Sequence, residues 1–401
     1  MYRQEQIATV VDSQKERFLQ KGQSIDRDAL AEVPVLDSFA TIISGIRRCG
    51  KSTLLHQLIR KQYPEAFFLN FEDIRLSGFE VDDFTRLHSE IIFRDIQVLC
   101  FDEIQLVKNW EMFIHQLLRE GYQVFVTGSN ASLLSRELGT HLTGRYLSME
   151  LFPFSYNEFV SFKGLEKNPE SVQAYLVSGG MPEFVKSGEG MVLSRLIDDI
   201  LIRDISVRQA IRDVEILRQL TVYLMTNIGN LIAATKLTGM YGVKSATTFL
   251  EYFSFLRDAY LFEFVPQFSY SLKAQARNPK KVYSMDMGFV SEVATLFTDN
   301  LGRRFENLIY LHLRRKHSEV YYYKDKGECD FVVQSRGKVE KLVQVCYQTD
   351  DLNFQREYSG LVEAMKFFQI NEGLIVTLNQ KDVFEKGGYT VKLIPAHEFL
   401  I

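Results

Sequence analysis

The sequence predicts a protein of the α/β class, with a helix-covered parallel sheet near its amino terminus, a helical middle and a second α/β unit near its carboxyl terminus. Apolar runs in TIISGI, AFFLNFED, IQVLCFDE and QVFVTGS alternate with helical segments over the first 130 residues. Such alternation is typical of a parallel sheet with helices on both faces. With 401 residues, of which 46% are hydrophobic, the chain is long enough for two or three domains.

Charge and hydropathy restrict the class of partner. The net charge of -4 excludes a general attraction to nucleic acid or anionic membranes, so any DNA contact must come from a local patch. The amino terminus is charged, and no run approaches the roughly 18 apolar residues of a membrane span. We therefore expect a cytoplasmic protein without a membrane partner. The cysteines are isolated in sequence, which favours reduced thiols over disulfides or zinc ligands.

The first predicted strand leads into a phosphate-binding motif. Residues 45–52, GIRRCGKS, match G-x-x-x-x-G-K-[ST] and precede an amphipathic helix. The glycines let the loop curl so that its N–H groups face phosphates, and Lys51 would reach the terminal phosphates. Ser52 would bind Mg²⁺, so ATP and Mg²⁺ are the expected cofactors. The residues expected to bind nucleotide are Gly45, Arg47, Arg48, Cys49, Gly50, Lys51, Ser52 and Thr53.

Acidic and polar residues follow two later strands. Asp102 would orient the Mg²⁺ shell and Glu103 would polarise the attacking water, which predicts hydrolysis of ATP. Asn130 or Ser129 would sense the γ-phosphate, although a turn with an Asn N-cap explains these residues equally well. Arg145 would act as an arginine finger, in its own subunit or on a neighbour's ATP, unless it is an ordinary surface arginine.

The middle of the chain resembles a nucleic-acid-binding module. Residues 156–210 have helical periodicity and predict a small lid, and residues 216–260 have the spacing of a helix-turn-helix. Strands around the basic loop KAQARNPKK would complete a winged helix, whose alternative role is packing. An inward-facing stripe is expected at Phe249, Leu250, Phe253 and Leu256. The candidate phosphate contacts on DNA are Lys244, Lys273, Arg277, Lys280 and Lys281.

The carboxyl-terminal region has the outline of a metal-dependent nuclease. Glu306 on a helix and Asp330 on a hairpin strand would converge with the strand KLVQVCYQ. Such sites use two carboxylates for Mg²⁺ and a lysine near the phosphate. Where (D/E)-x-K is expected, the chain has Gln344-Val345-Cys346, and neither the amide nor the thiol can replace the missing groups. We therefore expect a degenerate site with weak or no nuclease activity.

In chain order, the stretches GIRRCGKSTLL, VLCFDEIQ, VFVTGSN, LFPFSYNEF, SGGMPEF, ECDFVVQ and LVQVCY resemble bacterial and archaeal AAA-type ATPases with a carboxyl-terminal DUF4143 domain, itself similar to PD-(D/E)XK nucleases. The resemblance implies an AAA-type ATPase core with helical lid over residues 1–210. It further implies a winged-helix domain over 211–295 and a nuclease-like domain over 296–401. The position of Arg145 predicts a homo-oligomer with ATP at subunit boundaries, a hexameric ring being one such assembly.

Three functional hypotheses follow. The first, which we prefer, is a DNA-binding ATPase that uses hydrolysis to remodel DNA. The second is a nucleotide-dependent switch in defence or signalling that acts on protein partners, which the net charge of -4 favours. The third is an ATP-dependent nuclease, which retains Glu306 and Asp330 but lacks the expected lysine.

Overall fold

The chain forms two compact units, Met1–Phe152 and Pro153–Ile401. No helix in the described part of the chain is long and apolar enough to cross a membrane. The computed structural model describes residues 1–20, 25–130, 144–294, 300–350 and 353–401.

The first unit is built on a five-stranded sheet. Its strands in chain order are β1 (Ala40–Ser44), β2 (Phe67–Asn70), β3 (Val98–Asp102), β4 (Gln123–Gly128) and β5 (Tyr146–Glu150). The spatial order is β2-β3-β4-β1-β5, and every neighbouring pair is parallel. Because the strands all run in one direction, the segments that follow β1, β3 and β4 meet at one edge of the sheet.

Helices cover this sheet and bury its central strands along almost their whole length. All five residues of β1 are buried, as are the last five residues of β4. The buried core includes Phe67, Phe101 and the indole of Trp110. The helices are α1 (Gln4–Gln20), α2 (Lys51–Gln62), α3 (Asp83–Arg94) and α4 (Trp110–Arg119), with short 3-10 turns at Asp28–Glu32, Ile74–Leu76 and Ile104–Leu106.

The second unit opens with a group of helices. Ser155 caps the first, because its hydroxyl accepts a 3.0 Å bond from the Glu158 N–H and Glu158 accepts a 2.7 Å bond from the Ser155 N–H. A π-helical segment, Ile200–Ser206, joins the last two helices of the group. The helices are α5 (Tyr156–Lys163), α6 (Pro169–Ser178), α7 (Pro182–Ser187), α8 (Met191–Asp199) and α9 (Val207–Gln209).

A small antiparallel sheet with its own helices follows. Its middle strand, β8, pairs with both β6 and β7. A 3-10 turn lies at Met240–Gly242. The elements are α10 (Val214–Thr226), β6 (Leu231–Ile232), α11 (Ala234–Leu237), α12 (Ala246–Asp258), β7 (Phe262–Val265), α13 (Leu272–Arg277), β8 (Lys280–Ser284) and α14 (Met287–Val293).

A six-stranded mixed sheet ends the chain, in the order β13-β14-β12-β11-β10-β9. The pairs β11–β12 and β12–β14 are parallel and the others are antiparallel. Leu361 and Met365 join Val332 and Ile375 in its core. The elements are α15 (Leu301–Lys316), β9 (Glu319–Lys324), β10 (Glu328–Ser335), β11 (Lys338–Val345), α16 (Phe354–Phe368), β12 (Glu372–Thr377), β13 (Asp382–Lys386), β14 (Tyr389–Pro395) and α17 (Ala396–Phe399).

Several elements differ from the sequence prediction. Strand β5 was not predicted, because its partly exposed residues form no continuous apolar run. The segment expected as a basic loop contains α13. Leu250 was expected on the inward face of α12 with Phe249 and Phe253. This expectation is wrong for Leu250, which is 55% exposed, whereas Phe249 and Phe253 are buried. The expected lid, residues 156–210, lies in the second unit.

Candidate functional site

The loop between β1 and α2 curls through two glycines. Gly45 has φ 148°, and a Cβ there would lie 2.2 Å from the carbonyl oxygen of Leu151. Gly50 has φ 106°, and a Cβ there would lie 2.6 Å from a guanidinium nitrogen of Arg27. Both positions favour glycine because their positive φ strains any other residue, and at Gly45 a side chain would also collide with the backbone. The glycines of the motif are therefore explained by close neighbouring atoms as well as by the positive φ angles.

Arg27 supports this loop, and sequence reasoning missed it. Its side chain donates 2.7 Å hydrogen bonds from Nη1 to the carbonyl of Cys49 and from Nη2 to the carbonyl of Phe152. The residue is only 3% exposed. No local pattern could identify this role, because the two acceptors lie 22 and 125 residues away in the chain. Arg27 thus ties the loop to the segment that follows β5.

Lys51 lies inside the curl of the loop. Its Nζ donates to the carbonyl oxygens of Gly45 and Ile46 at 3.0 and 3.1 Å. Glu103 Oε1 lies 3.8 Å from the same ammonium, whose side chain is 3% exposed. The cation is therefore held where phosphates would meet the loop's N–H groups and the amino end of α2.

Asp102 ends β3 and is fully buried. Its Oδ1 accepts a 2.5 Å bond from Thr127 and its Oδ2 accepts a 2.7 Å bond from Asn70. Burial raises the pKa of Asp102, while hydrogen bonds from Thr127 and Ser52 oppose that shift. The neighbouring hydroxyl of Ser52 and carboxylate of Asp102 are the oxygen ligands that Mg²⁺ prefers.

Ser52 and Asp102 together suit a Mg²⁺ ion that binds in complex with a nucleotide. Within the described ranges, no group of three or more His, Cys, Asp or Glu residues is arranged, as the structure stands, to hold a metal ion. Mg²⁺ commonly takes one or two protein ligands, with phosphate oxygens and waters completing its shell. Ser52 and Asp102 would provide that small protein contribution.

Glu103 is placed by an unusual backbone conformation. Its φ of 54° lies in the left-handed region, which costs roughly 1–2 kcal/mol for a residue with a side chain. Its N–H donates to Thr127 Oγ1 at 3.1 Å, and the same hydroxyl donates to Asp102. Burial raises the pKa of Glu103, while Lys51 opposes the shift. Thr127 therefore fixes both acidic residues at the carboxyl edge of the sheet.

The other predicted nucleotide contacts lie on or beside the loop. Arg47 forms a 3.2 Å ion pair with Glu72, and Arg48 has φ 63°. Cys49 is buried, its Sγ donates to the Leu151 carbonyl at 3.3 Å, and burial raises the pKa of its thiol. Thr53 is partly buried in the first turn of α2.

Asn130 and Arg145 lie at opposite ends of the parallel strands. The buried Asn130 follows β4, whose Gly128 is paired with Ser44 just before the phosphate loop. Arg145 is exposed and precedes β5, where its carbonyl accepts from the N–H of Ala40 at 3.1 Å. A five-residue strand at about 3.3 Å per residue separates Arg145 from the loop by about 17 Å. Arg145 is therefore not placed to act within its own subunit.

The five candidate DNA contacts differ in their exposure to solvent. Lys244, Lys273 and Arg277 are exposed, and Lys280 is partly buried. Lys281 was expected on a basic wing, which is wrong because it lies within β8 and is 3% exposed. Successive side chains of a strand point to opposite faces, so two adjacent lysines can have different environments.

Lys281 instead joins a carboxylate cluster. Its Nζ lies 2.9 Å from Glu306 Oε1, from Glu328 Oε1 and from Asp330 Oδ1. Glu306 and Asp330 thus converge as expected, but the cation beside them comes from β8 rather than from the strand of Gln344. Sequence reasoning missed Glu328, although it shares a face of β10 with Asp330 through the two-residue period.

Hydrogen bonds complete this cluster. Tyr283, on the same face of β8 as Lys281, donates a 2.5 Å bond to Glu306 Oε1. Gln344 Oε1 accepts from the Asp330 N–H at 3.1 Å, and its Nε2 donates to Glu357 at 2.5 Å. Burial and Asp330 raise the pKa of Glu306 to about 7. Despite its burial, Lys281 has a pKa well above the usual value because of the surrounding carboxylates.

The three carboxylates of the cluster line a cleft in the second unit. The cleft has a volume of about 740 Å³, and its lining includes Glu306, Asp330 and Gln344. Cations also line it, namely Arg303, Lys324, Lys326 and Arg356. The cleft therefore combines basic side chains with an acidic group already neutralised in part by Lys281.

Two domain families match the sequence. Residues 37–160 match a family described as AAA domain, a range that contains the phosphate loop, Asp102 and Glu103. Residues 169–300 match a domain of unknown function, DUF8612. The DUF4143 domain inferred from the sequence is not confirmed, since the second match is to a different family.

Two curated proteins are similar over most of the chain. An uncharacterized protein of Methanocaldococcus jannaschii is 31% identical, covering 91% of this chain and 87% of that protein. An uncharacterized protein of Haemophilus influenzae is 29% identical, covering 83% of this chain and 91% of that protein.

The similarity to solved structures is weaker. Cdc6p from Pyrobaculum aerophilum covers 63% of this chain and 86% of that chain, at 14% identity and a TM-score of 0.27. C. elegans PCH-2 covers 64% of this chain and 67% of that chain, at 10% identity and a TM-score of 0.23. Likeness at this level is too weak to transfer fold or function.

Proposed function

The chain belongs to the same family as the Methanocaldococcus jannaschii protein and contains an AAA domain, and from that premise we propose that it binds ATP with Mg²⁺ and hydrolyses the ATP. The observation that carries this proposal is the meeting of Lys51, Asp102 and Glu103 at one edge of the first sheet. A buried cation, a carboxylate beside a hydroxyl and a second acidic group are the parts that phosphoryl transfer to water requires.

Each side chain has a separate task in the proposed reaction. Lys51 exchanges its loop carbonyls for the terminal phosphates and stabilises their charge. Ser52 and Asp102 would hold the metal ion, which would neutralise charge on the phosphate oxygens. Glu103 orients and polarises the attacking water, and its position close to Lys51 keeps it near the reacting phosphate. Asn130 contacts the γ-phosphate from the neighbouring strand.

We further propose that the second unit couples this cycle to DNA. The order of α10, β6, α11, α12, β7 and β8, with β8 between the other strands, supports a winged helix. The exposed cations Lys244, Lys273 and Arg277, with Lys280 beside them, provide phosphate contacts. Because these groups bind phosphate rather than base edges, the binding is tolerant of DNA sequence.

Assembly of several copies is part of the proposal. Arg145 is exposed at the edge of the sheet that faces away from its own phosphate loop. An arginine in that position reaches an ATP only across a subunit boundary. A ring of this chain, six-membered in one form, would therefore complete each nucleotide site with Arg145 of the adjoining copy.

The test of this function is ATP turnover measured with single-stranded, duplex and branched DNA and without DNA. Stimulation by any DNA form is expected for a DNA-remodelling ATPase. Equal turnover under all four conditions, with no DNA retained by the protein, would favour a nucleotide switch that acts on a protein partner. The observation that favours this second candidate is the withdrawal of Lys281 from the surface in a chain of net charge -4.

A further inference from the structure

The contacts of Lys281 have the pattern of a coordinated cation. Its three N–H donors face Glu306, Glu328 and Asp330, each at 2.9 Å. The lysine side chain is 4% exposed, and those of Glu306 and Asp330 are 13% and 9% exposed. An ammonium withdrawn from water to this extent needs several compensating partners, and the cluster supplies three.

The distances around this point suit an ammonium nitrogen rather than a Mg²⁺ ion. Contacts of 2.9 Å are normal for an ammonium donating to carboxylates, whereas Mg²⁺ requires about 2.0–2.1 Å. Two of the other carboxylate oxygens have their own partners. Asp330 Oδ2 accepts a 3.0 Å bond from the Val345 N–H, and Glu328 Oε2 accepts a 3.2 Å bond from Lys324.

The cluster has the composition of a divalent-cation site apart from the lysine. Oxygen ligands from α15 and β10 converge on one point, and both elements are fixed by the core of the second unit. Without the ammonium, three carboxylates would be left in mutual repulsion around a partly buried point. A divalent cation would relieve that repulsion through the same oxygens.

We infer that the Lys281 ammonium occupies the position that a divalent cation would otherwise take between Glu306, Glu328 and Asp330. The native cluster is therefore closed to Mg²⁺ and Mn²⁺, and removal of the ammonium converts it into a divalent-cation site. This inference is independent of ATP hydrolysis and DNA binding. It also replaces the sequence-based reason for weak nuclease activity, because a cation does stand beside the carboxylates but fills the place of the metal.

The experiment is a Mn²⁺ titration of the full chain by calorimetry, without nucleotide. All proteins in the titration, the parent included, carry Asp102→Asn, which removes the carboxylate ligand of the metal site proposed beside the loop. The Lys281→Ala variant is expected to bind Mn²⁺ at least tenfold more tightly than the parent, and Mn²⁺ should raise its melting temperature. Adding Asp330→Asn should abolish both effects. The matched control is Lys280→Ala, which removes the adjacent lysine and should leave Mn²⁺ binding at the parent level.

Two results would overturn the inference. One is Mn²⁺ binding by the parent that disappears with Asp330→Asn, since the native cluster would then be open to metal. The other is Mn²⁺ binding by Lys281→Ala no tighter than by Lys280→Ala. If the alanine variant does not fold, Lys281→Gln keeps a neutral side chain of similar length, and the same tenfold gain is required of it. The titration of the parent tests the inference even if neither Lys281 variant folds.

Discussion

Replacing Arg27 by Met removes the support of the phosphate loop while keeping most of the side-chain volume. Two buried carbonyls, those of Cys49 and Phe152, lose charge-assisted donors at 2.7 Å. Bonds of this kind contribute about 1.5–3 kcal/mol each, so the loss of both should lower the unfolding free energy of the first unit by about 3–6 kcal/mol. The loop also loses one of its anchors. ATP affinity should therefore fall about tenfold, which corresponds to about 1.4 kcal/mol.

The chain offers a specific probe for this measurement. Its single tryptophan, Trp110, is 3% exposed in the core of the first unit, so urea unfolding followed by tryptophan fluorescence reports on that unit. The matched control is Arg203→Met, because the Arg203 side chain is 67% exposed and its contact with Asp199 is 3.6 Å. The control should change stability by less than about 0.5 kcal/mol. An Arg27→Met protein as stable as this control would refute the supporting role.

Three further predictions concern other regions of the chain. Arg145→Ala should bind ATP normally but hydrolyse it poorly, and mixing it with Glu103→Gln should restore part of the turnover; no recovery would contradict action between subunits. Replacing both Lys273 and Arg277 by Ala should weaken binding to all DNA sequences alike and reduce the salt slope by about one unit per lost phosphate contact; an unchanged slope would exclude them as contacts. Burial and neighbouring cations lower the pKa of His312 from its ordinary value of 6.5 to about 3. The stability that the neutral imidazole contributes is therefore fully present above pH 6.5 and is lost as the pH falls below that value. Between pH 7.5 and 5 this group alone should lower the free energy of unfolding by about 2 kcal/mol. In urea unfolding followed by circular dichroism, His312→Gln should lose most of this pH dependence. Identical pH profiles for the native chain and the variant would contradict the assignment.

Four strands of the first sheet and the loop between β1 and α2 were predictable because their signals are local. Strands β1 to β4 are short apolar runs, and the loop motif lies between β1 and α2. Parallel order then brings the ends of β1 and β3 to one edge, which is why Lys51, Asp102 and Glu103 could be assigned to one site from spacing alone.

The missed features depend on partners that are distant in sequence. Arg27 acts on carbonyls that no local pattern relates to it, and β5 is defined by pairing with β1 rather than by its own hydrophobicity. Lys281 was assigned to a wing because it follows a basic segment, but the alternation of β8 turns it towards Asp330, 49 residues away. A sequence motif search for the lysine of a nuclease site considers only the strand of Gln344 and cannot find a cation supplied by another sheet.

The most direct test of the central claim compares ATP binding and ATP turnover in the native chain and in Glu103→Gln. The substitution keeps the shape of the side chain and removes the charge that polarises water. We predict that the variant binds ATP with Mg²⁺ about as tightly as the native chain, while its turnover falls about a hundredfold or more. Turnover by Glu103→Gln close to the native rate, with binding intact, would contradict the proposed hydrolytic site.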